Sequence, residues 1–121
     1  MDVLTSARQL AQAIQDSEEY RTYQRARQSV DADPAARDMV RDFRRKSLEI
    51  QKQQWAGQEP DSERMNQLER MFELLNYNPT VRDFLAAELK LASLVAEAQK
   101  VISDAVDVWI NYGDETEDAD A

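Results

Sequence analysis

Between Pro79 and Gly113 the chain contains neither proline nor glycine, and apolar residues recur through that interval at spacings of three and four. The stretch Asn78 to Tyr112 therefore predicts one helix, on the order of 50 Å long at 1.5 Å of rise per residue. An average globular helix has roughly three turns. Val81, Phe84, Leu91, Val95, Ala98, Ile102, Ala105 and Trp109 form one row, with Glu88 its single polar member. Leu85, Leu89, Ala92, Leu94 and Ala96 widen the row onto a second face. A rod with two apolar faces is expected to pack one inside the subunit and the other against a partner.

The remainder of the chain is consistent with helices throughout. Its 121 residues suit one domain, and two glycines with three prolines leave room for few turns. The expected fold class is all-α: an elongated antiparallel bundle of about four to five helices with a long C-terminal helix. Charged residues make up 32% of the chain, as amphipathic helices with wide polar faces require. There is no cysteine and no histidine. That removes disulfides, thiol nucleophiles, cysteine-ligated clusters and the commonest general base at neutral pH. No cofactor and no metal are expected. No window approaches 18 apolar residues, and the start lacks a basic region before an apolar core. The expectation is a soluble, cytoplasmic protein without membrane insertion. Thirteen aspartates and eleven glutamates stand against eleven arginines and four lysines, for a net charge of −9. Such a carboxylate-rich surface is one that a salt-rich, halophilic cytoplasm favours, and one that ordinary soluble proteins also carry.

Read in order, Val3, Leu4, Ala7, Leu10, Ala11 and Ile14 predict an amphipathic helix from Val3 to Gln15. Ser17 is placed to cap a second helix, with Glu18 and Glu19 in its first turn and Tyr20, Tyr23, Ala26 and Val30 on its apolar face. The sequence leaves open whether the chain breaks or only kinks at Ser17. Asp33 and Pro34 make a cap and a first helical residue, opening a helix to about Trp55 that carries Ala36, Val40, Phe43 and Ile50. Gly57 and Pro60 end it, and a short helix with Met65, Leu68, Met71, Phe72 and Leu75 follows. Asp33 to Val40 and Asn78 to Leu85 echo each other in cap, proline, Arg-Asp pair and apolar pair, which two well-formed helix starts explain without a duplication. Residues 1–112 are read as one domain, and residues 113–121, with five carboxylates, as an acidic disordered tail.

Two surfaces are candidates for contact. The long helix and the short helix before it offer Met65, Leu68, Phe72, Leu75, Phe84, Leu85, Leu89, Ala92, Ala96 and Trp109 as an oligomer interface, and Tyr112 is expected to be buried with Trp109 between subunits of the oligomer. Eight of the fifteen basic residues fall between Arg21 and Lys46, and among them Arg37, Arg41, Arg44 and Arg45, with Trp55 nearby, form a candidate partner surface. The competing account is a solvated face whose arginines pair with Asp38, Asp42 and Glu49. Acid pairs such as Glu69 and Glu73 lack the histidine or apolar setting that acid-base work needs. The polar faces are not predominantly basic, which disfavours membrane-surface binding.

Several short pieces occur in a telling order: Ser17-Glu18-Glu19-Tyr20 with Ala26, Asp33-Pro34, Phe43, the Gln54 to Gly57 turn, Leu74-Leu75-Asn76-Tyr77-Asn78-Pro79, and Phe84-Leu85-Ala86-Ala87-Glu88. In that order and spacing, up to about Tyr112, the chain resembles the YlbF/YmcA family of small helical proteins. The resemblance implies an all-helical, self-associating subunit with a regulatory rather than enzymatic role. The family's best-known members act as adaptors that assemble with one another, influence competence, sporulation and biofilm formation, and are linked to RNA maturation by a membrane-associated endoribonuclease. Some bind iron-sulfur clusters through cysteines. This chain has none, so that property does not transfer.

The expected function is therefore that of a non-catalytic adaptor acting through protein-protein contacts, with a homo-oligomer as the first partner. Two alternatives remain at the level of sequence: an RNA-binding protein using the Arg21 to Lys46 face, against which the net charge works, and a holdase-like helical chaperone.

Overall fold

A computed structural model describes residues 1–112 of the chain, and these form six helices with no strand among the described residues. They are α1 (Val3–Gln15), α2 (Glu18–Asp31), α3 (Pro34–Trp55), α4 (Ser62–Asn76), α5 (Pro79–Ala105) and α6 (Asp107–Ile110). The all-α expectation holds, with one helix more than the upper end of the expected number. The acidic segment 113–121, read above as a tail, lies outside the described residues.

Each helix before α6 begins on a polar side chain that takes up orphan backbone donors. Asp33 Oδ1 accepts from the N–H groups of Ala35 and Ala36 at 3.1 and 3.3 Å. Asn78 Oδ1 accepts from Thr80 and Val81 at 3.0 and 3.3 Å. The two echoed segments are thus the same capping device used twice, with Pro34 and Pro79 where a missing N–H costs nothing. Asp61 Oδ1 caps α4 through Glu63 N–H, and Asp2 Oδ1 caps α1 through Thr5 N–H at 2.7 Å. The Thr5 backbone donor, followed by its side chain, holds the Asp2 carboxyl below its usual range. Ser17 Oγ accepts from Tyr20 N–H and donates to Ile14 O, so the chain breaks there into two capped helices.

The single helix expected from Asn78 to Tyr112 is shorter. α5 is 27 residues long and ends at Ala105, and Val106 leaves helical geometry at φ −119°, ψ 26°. Its N–H donates to Ser103 O, a tighter turn than the α-helix, before α6 restarts at Asp107. The break falls where every residue from Gln99 to Tyr112 is exposed. Without packing to hold the helix together, the weak helix preferences of Ser103, Asp104, Val106 and Asp107 decide the backbone.

The core is where α2, α3, the end of α4 and the start of α5 meet. Val30, Ala36, Val40, Leu75, Val81 and Phe84 are buried together, with Tyr23, Ala26, Met39, Phe43 and Leu85 packed against them. α2 and α5 form the most extensive helix pair. They run antiparallel: Val30 shares the core with Val81, the Tyr23 ring lies 5.6 Å from Phe84, and Glu19 sits beside Lys90, Leu94 and Glu97.

Candidate protein-interaction surface

Among the described residues, eight hydrophobic residues are buried and eighteen large ones are exposed. The accessible surface is 9468 Å² for a 14.0 kDa chain, against roughly 6,700 Å² expected for a compact monomer of that mass. Nine residues outside the described region contribute at most about 1,400 Å² by the scaling for an unfolded chain. The helices themselves are therefore unusually open, and much of the opened surface is apolar.

The expected interface residues divide into two sets. Leu75 and Phe84, at 2% and 3% exposure, belong to the subunit core and have no surface to offer a partner. Leu85 is half-buried against that core. The row of three and four that included Phe84 serves the subunit at its N-terminal end, because α2 and α3 pack there. Met65, Phe72, Leu89, Ala92, Ala96 and Trp109 are exposed, and Leu68 is half-buried. Phe72 stands 6.0 Å from Phe43 across α3 and α4, and with Leu68, Glu69 and Glu73 these rings line an open apolar groove. Leu89 is 69% exposed and Trp109 79%, the latter now on α6 rather than on the long helix. Tyr112 is exposed in the subunit as well.

The basic face is largely engaged with the chain's own carboxylates. Arg41 reaches Asp38 at 3.3 Å and Asp42 at 3.6 Å, and Arg45 reaches Asp42 at 3.3 Å. Glu49, expected among these partners, is not one of them. Arg44 pairs with Glu88 and lies 5.3 Å over the Phe84 ring. This accounts for the one polar residue in the α5 row: Glu88 sits at the edge of the core, where a cation from α3 meets it. Arg37 remains exposed with no partner among the described residues. Trp55, at 77% exposure, stands free at the end of α3. Among the described residues no group of acids is arranged to hold a metal ion, and no helix is long and apolar enough to cross a membrane.

Sequence reading missed the state of α1. Its apolar spacing was legible, but none of its residues is buried, and Val3, Leu4 and Leu10 are exposed. Nothing in the spacing says whether an amphipathic face finds its cover inside the same chain.

A subunit of capped helices with a thin core and open apolar faces falls in the class of small all-α proteins. The chain belongs to the YlbF/YmcA family, whose model, described as control of competence regulator ComK, YlbF/YmcA, matches residues 3–107. A UPF0342 protein of Symbiobacterium thermophilum is 37% identical over 106 residues, covering 88% of this chain and 95% of the relative. A UPF0342 protein of Desulfitobacterium hafniense is 36% identical, covering 88% and 86%. Among solved structures, a protein of unknown function (DUF964) from Bacillus stearothermophilus superposes with a TM-score of 0.80 at 25% identity, over 88% of this chain and 93% of that one. Bacillus subtilis RicA, crystallised in complex with RicF, superposes with a TM-score of 0.60 at 27% identity, over 89% and 96%.

Proposed function

We propose that this protein is a non-catalytic adaptor that self-associates and binds other proteins through apolar helix faces, serving a regulatory assembly in RNA processing or developmental control. The observation that carries the reading is the inversion of burial: large hydrophobic residues are more numerous on the surface than in the core. The groove of Phe43, Leu68 and Phe72, with Met65 beside it, and the Leu89, Ala92, Ala96 row are the surfaces assigned to partners. RicA, similar to this chain along most of its length, forms a complex with RicF, and the family model is described as control of a competence regulator. The RNA-binding alternative is weakened by the pairing of Arg41, Arg44 and Arg45 with neighbouring acids.

Light scattering coupled to size-exclusion chromatography, across a wide salt range, tests the reading. The expected mass at micromolar concentration is that of two copies or more. A monomer at every salt concentration would sink it.

A further inference from the structure

α1 has an apolar face and no cover for it. Val3 is 83% exposed, Leu4 65% and Leu10 38%, and only Thr5 and Ile14 are half-buried. The C-terminal end of α5, with α6, is in the same condition. Val101 is 71% exposed, Ile102 54%, Val108 67%, Trp109 79% and Ile110 53%. Both segments lie beyond the same end of the α2–α5 pair. The antiparallel pairing of α2 with α5 carries burial from Val30 and Val81 past Tyr23 and Phe84 to Glu19 and Leu94. Beyond it, α1 leaves α2 at Ser17 and α5 runs on past Ala98, and α1 does not pack appreciably on α5. The result is an open fork at one end of the subunit. α1 is about 20 Å long at the rise of an α-helix, and the other prong is the last two turns of α5 followed, after the break at Val106, by α6.

We propose that the fork seats a second copy of this chain, α1 and the segment from Gln99 to Ile110 of one subunit closing on the same two segments of the other to form a four-helix junction. The inference rests on the reading that the protein self-associates, and it says where. Charge points to a second copy as the occupant. In a chain of net charge −9, α1 holds one charged residue, Arg8, and the other prong holds Lys100, Asp104 and Asp107, with Lys100 paired to Asp104 at 2.8 Å. The four charges cancel, so the apolar faces of the prongs can meet without like-charge repulsion between the prongs themselves. A strongly charged partner would find no complement on these prongs.

Area agrees. The exposed large aliphatic residues of the two prongs and Trp109 present on the order of 600 Å² of apolar surface, taking roughly 100 Å² for an aliphatic side chain and 200 Å² for tryptophan. A standard interface buries about 800 Å² per partner, somewhat more than half of it apolar. A two-fold arrangement uses the same patch twice, as an isologous interface requires.

The test is the mass and dissociation constant of the full-length protein beside Leu10→Glu, Ile102→Glu, Phe72→Asp and Leu48→Gln, with helicity followed by circular dichroism. Leu10 and Ile102 are surface residues of the subunit and glutamate is a good helix former, so both variants are expected to keep their helix content. They are expected to weaken association at least about tenfold, as central apolar anchors do, while Leu48→Gln, at an exposed α3 position assigned to no partner, leaves it near the wild-type value. As a second reading, Ala7→Cys is mixed with Ala105→Cys in a protein that has no native cysteine. Disulfide-linked dimers are expected from Ala7→Cys alone or from the mixture, and none from Gln58→Cys at the α3 end. A dimer that resists both glutamates but falls apart with Phe72→Asp overturns the fork and leaves self-association standing. A wild-type monomer overturns both.

Discussion

Gly57 is the one described residue with a positive φ, at 77°. It ends α3 as the left-handed residue of a Schellman turn: Gln58 N–H donates to Gln53 O at 2.9 Å and Gly57 N–H to Gln54 O at 3.1 Å. A Cβ here would meet nothing within 4 Å, so Gly57→Ala carries only the backbone penalty. The expected loss is about 1 kcal/mol, read as a lower urea midpoint with unchanged slope. This residue was legible, because glycine after a long helix with proline close behind is a stop signal. Arg44 was less so. It was grouped with Arg37, Arg41 and Arg45 as partner surface, but it is taken up by Glu88 and the Phe84 ring, from an element 40 residues further along the chain. The trace left in the sequence was a lone glutamate in an apolar row.

At the scale of the element, α5 changes role along its length. Val81, Phe84 and Ala87 are buried, the middle is half-buried on one side, and from Gln99 to its end at Ala105 every residue is exposed. The stripe keeps its period throughout, because period reports amphipathicity and not what lies opposite. Substitutions should follow burial rather than position in the stripe. Phe84→Ala removes a 3% exposed ring and is expected to cost about 3–5 kcal/mol. Leu89→Ala, on a side chain 69% exposed, is expected to stay within about 0.5 kcal/mol. Urea denaturation at protein concentrations low enough to hold the monomer separates these costs from any contribution of a partner. Equal costs at the two positions would mean that Leu89 is covered under those conditions. The break at Val106 was not legible: no glycine or proline marks it, and it falls where tertiary contacts have already ceased.

At the scale of the whole molecule, charge and shape pull in opposite directions. The net charge of −9 opposes the approach of a second copy, while the open apolar surface favours it. Raising ionic strength from about 0.01 to 0.15 M shortens the screening length from roughly 30 to 8 Å, so self-association is expected to tighten with salt. RNA binding through the Arg21 to Lys46 face would weaken steeply over the same range. Sedimentation equilibrium for the first and fluorescence polarisation with labelled RNA for the second read the two signs directly. Association that loosens as salt rises would point to contacts between opposite charges, and the charge-balanced fork would not explain it.

The amino-acid sequence by itself determined the helices and most of their ends. Caps at Asp2, Ser17, Asp33, Asp61 and Asn78, and the stop at Gly57, are local events in which a side chain or a backbone angle acts on its immediate neighbours. Apolar spacing, equally local, marked which side of each helix avoids water. Only the tertiary structure decided which apolar faces are satisfied within the subunit. It enclosed Leu75 and Phe84, left Phe72 and Leu89 outside, and opened α1 and the end of α5 into a fork. Burial depends on which elements meet across the chain, and a helix that is going to meet its own core carries the same pattern as one whose face is left to solvent or to another molecule.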